Sequence, residues 1–469
     1  MLLDIFDFYR QGVDSYDHQW REKYVWFNLI HVSKRWRAVV FASPSRLDLS
    51  ITVGPIKPDH IETILSSPLP VFIDYKCMYQ DMTRSALWRM RSALEQRDRV
   101  RGISFEGSID WFDEYFKATN CNFPILESLV LCCQYHKEVD LPDSFLGGPD
   151  LPNLHLRNLK LERVSLSSVS RFLLSTSSLT DLSLRIETAF GPSAETPLVA
   201  CLQGLPHLSR LDLSISHKSP SPPSSPQRII IPLSDLTCFR YVGHSVFLDA
   251  LVAGISAPHI QDLSMEFFDA IFVPIVHLTR FINETEEHYH AVHVTFHREW
   301  VFRLSLLTQS EYFHYRKLAS KASRVPRWSP GRIMRMSGAL SAKLTTVTLL
   351  RVTFESSVMA AEDYILWRRF YQLFPNVKAL WIQATNHLDV AHTLFQDHEG
   401  PDNVLAFLPS LEVLQLGEGE FWTPGTEAES KLTTFLPFLS ARELAGRPVQ
   451  VLFRSVRPVA GESPVAISI

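Results

Sequence analysis

The chain has 469 residues, 46% hydrophobic and 20% charged, with 46 Lys and Arg against 50 Asp and Glu for a formal net charge of −4. So even a balance offers no general field for nucleic acid or an anionic membrane surface, and no run of 18 uninterrupted apolar residues marks a membrane span. Asp4, Asp7 and Arg10 break up the first apolar stretch, which argues against a secretory leader.

Six cysteines (Cys77, Cys121, Cys132, Cys133, Cys201 and Cys238) show no CxxC pairing. They read as reduced, buried small hydrophobes of an intracellular protein, cytoplasmic or nuclear. At the N-terminus, Leu29, Val32 and Trp36 stand at i, i+3 and i+7, so a helix puts them on one face and leaves Lys34, Arg35 and Arg37 on the rest of its surface. Leu2-Leu3-Asp4-Ile5-Phe6-Asp7 precedes this segment and Ala42-Ser43-Pro44-Ser45-Arg46-Leu47-Asp48-Leu49 follows it. Residues 1–50 in that order resemble an F-box, the helical module that docks on the adaptor subunit of cullin–RING ubiquitin ligases. In style they resemble the expanded families of mushroom-forming fungi. The Leu-Pro and acidic residue with which such modules open would fall ahead of Met1. The resemblance implies that Leu3, Ile5, Phe6, Leu29, Val32 and Trp36 form the module or meet the adaptor. Trp36 is the expected anchor, because a buried indole supplies a large area from one side chain. Leu3, Phe6, Leu29, Val32 and Trp36 would also close the end of a repeat array, as solenoids require.

Beyond residue 95 one phrase keeps returning: apolar, two variable residues, apolar, one variable residue, apolar. It appears at Val100/Ile103/Phe105, Leu126/Leu129/Leu131, Leu156/Leu159/Leu161, Leu179/Leu182/Leu184, Leu208/Leu211/Leu213, Leu236/Phe239/Tyr241 and Ile260/Leu263/Met265. It resumes at Leu344/Val347/Leu349, Val377/Leu380/Ile382 and Leu411/Leu414/Leu416. This is the leucine-rich-repeat signature. The implied fold is α/β: a solenoid with a curved parallel sheet and outer helices, preceded by the small helical module. Phe123-Pro124, Leu205-Pro206, Ala257-Pro258, Phe374-Pro375 and Leu408-Pro409 place a turn just before a strand. Residues 164–175 and 361–373 suit outer helices. Residues 268–343 resist phasing; Tyr289/Val292/Val294 is expected to be one strand there, with a further unit before Leu344.

The expected organisation is an F-box-like module at 1–50, a linker and N-terminal cap at 51–98, irregular repeats over 99–455 and a tail at 456–469. Two segments interrupt the repeats. A Ser/Pro-rich loop at 217–228 reads as a disordered excursion whose Ser-Pro pairs are candidate phosphorylation sites. The stretch 316–335, with Arg316, Lys317, Lys321, Arg324, Arg327, Trp328, Arg332 and Arg335, reads as a solvated basic insertion or a site for an anionic partner.

Catalytic grammar is thin. The sequence contains no Walker loop, G-x-G-x-x-G, H-E-x-x-H or G-x-S-x-G. His288, His290, His293 and His297 cluster, but a strand splits them between faces, so surface histidines are the default reading over a metal site. Asp397–Asp402 reads as an acidic turn. No catalytic residue, cofactor or metal is therefore expected. The implied function is substrate recognition within a cullin–RING ligase, with the repeats holding an unidentified target; Arg185, Arg210, Arg240 and Gln415 are the positional guesses for its contact surface. The alternative is a repeat scaffold with a vestigial F-box and no part in ubiquitination.

Overall fold

Each repeat phrase becomes a tight turn followed by a short strand, because its first residue closes the turn while its second and third point inward from alternate strand positions. The turns recur with one hydrogen bond: the N–H of Leu126, Leu208, Leu236, Val377 or Leu411 donates to the carbonyl three residues earlier, at 3.0–3.3 Å. Proline fits the second position of such a turn, where its fixed φ is already required.

The structure is a computed structural model. It describes residues 33–35, 51–53, 70–76, 84–134, 138–148, 155–174, 176–187, 195–216, 230–268, 275–297, 301–308, 340–354, 364–384, 391, 394, 407–417, 426–454 and 465–467. Two units divide the chain, Met1–Arg185 and Ile186–Ile469.

The first unit contains β1 (Ile51–Val53), β2 (Val71–Lys76), α1 (Arg84–Leu94), β3 (Val100–Gly107), α2 (Ile109–Ala118), β4 (Ser128–Cys133), β5 (Asn158–Glu162), α3 (Leu166–Leu173) and β6 (Asp181–Ile186). β1 through β6 pair in chain order, all parallel. Ile103, Leu129, Leu159 and Leu182 stand in one register row on the core side, and each is buried. The outer helices close that core. Phe112, Tyr115 and Phe116 of α2 are buried, and the Tyr115 ring stacks on Phe105 of β3 at 4.7 Å. Strands thus extend into residues 51–98.

The second unit contains α4 (Glu195–Gln203), β7 (Arg210–Ile215), β8 (Ile231–Pro232), β9 (Cys238–Gly243), α5 (Ser245–Val252), β10 (Ile255–Ser256), β11 (Asp262–Phe267), α6 (Val276–Asn283), β12 (Ala291–His297) and β13 (Val301–Leu307). It continues with α7 (Ser341–Leu344), β14 (Leu349–Phe354), α8 (Tyr364–Gln372), β15 (Ala379–Ala384), β16 (Val413–Gly417), α9 (Thr426–Leu444), β17 (Gln450–Arg454) and β18 (Val465–Ile467). Its main sheet runs β7-β9-β11-β13-β12-β14-β15-β16-β17-β18, parallel except that β13 is antiparallel to both neighbours and β18 to β17. β8 and β10 form a separate parallel pair.

Three expectations change here. Val292 and Val294 are buried on β12 as foreseen, with Tyr289 buried two residues ahead of it, but among the described residues the next strand is the antiparallel β13 and not a further repeat. The phrase assigned to Leu344/Val347/Leu349 is Val347/Leu350/Val352: these three are buried, Leu350 pairs with Leu380, and Leu349 is only half-buried on the other face. The reason is ambiguity in the sequence, since Leu349 and Leu350 are adjacent and only pairing decides between them. Finally, Gln450–Arg454 adds a strand parallel to β16 that no phrase had marked.

Candidate interaction surface

The strand face opposite the core follows from the same alternation. In the second unit, β7, β9, β11, β13, β12, β14, β15 and β16 bring Asp212, Arg240, Ser264, Ser305, His293, Arg351, Trp381 and Gln415 into one register row. The row beside it holds Ser214, Val242, Glu266, Arg303, Thr295, Thr353, Gln383 and Gly417. Arg210, Arg240 and Gln415 lie on this side of their strands, and in the first unit Arg185 lies on the face of β6 opposite its buried leucines, as positional reading of the repeat had them.

The polar side chains on it are organised. Arg240 Nη2 donates to Asp262 Oδ2 at 3.0 Å. Arg303 of the inserted strand pairs with Glu266 of β11, its Nε donating at 2.8 Å, and Glu266 is buried. Ser264 and Ser305 share a hydrogen bond of 3.0 Å across the same two strands. His293 Nε2 lies 3.0 Å from the hydroxyls of both Thr295 and Thr353. His293 is therefore a buried, hydrogen-bonded residue and not a surface histidine, whereas His288 and His290 are exposed ahead of the strand.

Next to this, the Arg351 guanidinium lies 3.9 Å from the centre of the Trp381 ring and donates to Gln383 Oε1 at 3.0 Å. Such a cation over an indole is favourable by roughly 0.5–2 kcal/mol. Gly417 on the adjacent strand makes room for the ring: a Cβ there would sit 2.7 Å from Trp381 Nε1. Strand alternation alone would have placed these residues on one face, but their stacking depends on which strands become neighbours.

Among the described residues no group of three His, Cys, Asp or Glu is placed to hold a metal ion. Burial, then the neighbouring carboxylates Glu162 and Asp262, push the thiols of Cys132 and Cys238 up to about 12, so neither is poised as a nucleophile. A shallow hollow of about 440 Å³ lies between α1 and α2, lined in part by Arg91, Arg97, Lys117 and Cys121. Leu3, Ile5, Phe6, Leu29, Val32 and Trp36 lie outside the described residues, as do residues 217–228, 316–335 and the turn Asp397–Asp402. Within 1–50, Lys34 and Arg35 are helical and exposed.

Each unit has the mostly parallel sheet and outer helices of a leucine-rich-repeat-like α/β solenoid. No protein-family model matches the sequence, and no curated protein matches it. Among solved structures, the leucine-rich repeat-containing protein LegL7 from Legionella pneumophila overlays with a TM-score of 0.31 at 10% identity, over 87% of this chain and 91% of that one. TLR13, in its complex with ssRNA13, overlays with a TM-score of 0.26 at 13% identity, over 79% of this chain and 48% of that one. Overlaps that low carry no argument, and the fold rests on the chain's own strand register. Among the described residues no helix is long and apolar enough to cross a membrane.

Proposed function

We propose that the protein is a non-catalytic, intracellular substrate-recognition subunit of a cullin–RING ubiquitin ligase of the SCF type. Its repeats bind a target protein through the open strand face. The observation that carries the target-binding half is the continuous polar array from Asp212 to Gln415, held in register by eight paired strands. A hydrogen-bonded strand face that is half-buried at Arg240, Trp381 and Gln415, and closed around buried His293 and Arg351, suits recognition of another protein through its accessible Arg and Trp side chains, which supply much of the binding energy at such contacts.

The resemblance of residues 1–50 to an F-box supports the adaptor-binding half, with Leu3, Ile5, Phe6, Leu29, Val32 and Trp36 as the module or its contact. On this reading the protein makes and breaks no bonds. Ubiquitin transfer follows from proximity, because a target lysine held near the charged conjugating enzyme reacts at high effective concentration.

Affinity purification of the full chain, the Trp36→Ala variant and a form lacking residues 1–50 tests the proposal. Adaptor and cullin subunits should be recovered with the full chain and fall together in both altered forms, at unchanged far-UV circular dichroism of the repeats. Undiminished adaptor recovery with folded Trp36→Ala, or none with the full chain, would overturn the ligase role. Target recovery without the adaptor would point to the repeat scaffold instead.

A further inference from the structure

The open face of the first unit contains an acidic corner that the repeat pattern does not explain. Val71 pairs with Val100 but Phe72 pairs with Gly102, so β3 carries one extra residue, Arg101, at a bulge. Bulges re-aim side chains. This one sets Phe72 opposite a glycine, and a Cβ on Gly102 would lie 2.1 Å from the Phe72 ring. Only a residue without a side chain lets that ring lie across β3.

Two positions further along β2, on the same face, Asp74 stands opposite Ser104, and Glu106 follows two residues later on β3. Asp74 is 9% exposed, and its Oδ1 is buried without a hydrogen-bond partner. Among the described residues no ion pair reaches it either. Its counterparts are treated differently: Glu266 is paired with Arg303, Asp262 with Arg240 and Glu162 with Lys160. A buried carboxylate oxygen without a donor is costly, and a donor brought by a bound group would relieve that cost.

We propose that Phe72, Asp74, Ser104 and Glu106 form a receptor for an arginine or lysine side chain carried by an extended, basic segment of the target protein. The carboxylates of Asp74 and Glu106 receive the cationic head, as charge-assisted hydrogen bonds to paired oxygens are the strong ones. Ser104 adds an acceptor oxygen. The Phe72 ring lies under the aliphatic stem and contributes a cation–π contact. This deepens the target-binding half of the proposed function and rests on it.

The test uses the full-length protein with labelled hexa-arginine and hexa-glutamate peptides, read by fluorescence anisotropy. Hexa-arginine should bind and hexa-glutamate should not. Asp74→Asn should weaken binding tenfold or more and Phe72→Leu several-fold, while Asp235→Asn, which removes the same charge from an exposed turn, should leave it unchanged. The urea midpoint of Asp74→Asn should equal or exceed that of the wild type, since the substitution removes an uncompensated charge. Absence of hexa-arginine binding, an equal loss in Asp235→Asn, or a lowered urea midpoint in Asp74→Asn would each overturn the proposal. A target still recovered at full yield by Asp74→Asn would remove this receptor while leaving the substrate-recognition reading in place.

Discussion

A turn leucine such as Leu208 does two jobs at once: its N–H closes the turn onto Leu205 at 3.3 Å, and its side chain is fully buried. Threonine just after the apolar residue that closes the turn (Leu179, Leu236 or Val347) adds a third bond in several repeats. The Thr180, Thr237 and Thr348 hydroxyls donate to the carbonyls of Arg157, Ser209 and His290 at 3.0–3.2 Å, each on the preceding repeat. The residue-scale chemistry therefore ties neighbours together as well as shaping each turn. It also decides thiol behaviour. Cys132 and Cys238 are held near 12, so at pH 8 in the folded protein they should react with iodoacetamide at least tenfold more slowly than in urea, as counted by mass spectrometry of the labelled peptides. Labelling of either at the unfolded rate would contradict their burial.

Two devices at the scale of elements hold the second unit's irregular parts. The first is the ion pair that fastens the antiparallel strand β13 to β11. Breaking a buried pair from one side leaves a charge behind, at about 3–5 kcal/mol, whereas removing both partners is far less harmful. Glu266→Gln and Arg303→Met should each lower the urea midpoint, and the double variant should recover much of the loss. Additive losses would mean that the two side chains do not act as a pair. The second device is a cap supplied from the neighbouring repeat. Asp249 of α5 accepts from the N–H of Leu278 in the first turn of α6 at 2.8 Å. Burial raises the Asp249 carboxyl above its ordinary range, and the Leu278 N–H only partly offsets that. A raised folded-state value means the carboxyl's stabilisation is complete below its unfolded value and is lost as pH rises through the folded one. Asp249→Asn keeps an acceptor without the charge, so its stability relative to wild type should rise from acid to neutral pH. An advantage independent of pH would show that ionisation of Asp249 is irrelevant. A neighbour also supplies the missing partner at Arg442 of α9, here as a donor where Asp249 is an acceptor. It is fully buried, and its Nη1 and Nη2 donate to the carbonyls of Leu408 and Leu411, which flank the turn before β16. Leu408 sits at φ +46°, a left-handed value that leucine rarely adopts, so the turn is strained where the guanidinium holds it.

For the molecule as a whole, repetition is what the sequence displays best. The recurring apolar phrase located β3 to β7, β9, β11, β12, β15 and β16, because each needs the same buried pair and the same preceding turn. It mis-set β14 by three residues, since two adjacent leucines satisfy the pattern equally. It gave no sign that β13 runs backwards: alternation in Val301–Leu307 is identical read in either direction, and only hydrogen bonding to β11 and β12 sets the sense. The candidate surface was legible at a similar level. Arg185, Arg210, Arg240 and Gln415 could be assigned to the open face from parity alone. Asp74, Phe72 and the Arg351–Trp381 stack could not, because burial, a bulge and the identity of neighbouring strands are not local properties.

By itself the sequence determined that this protein stacks short strands behind proline-bearing turns, since no single repeat can bury its own leucines. Only the tertiary structure decided strand direction at β13, the phase at β14 and which polar side chains meet across the open face. Those outcomes depend on pairing partners distant in the chain, and a period-two pattern fixes which face a residue takes without fixing its neighbour.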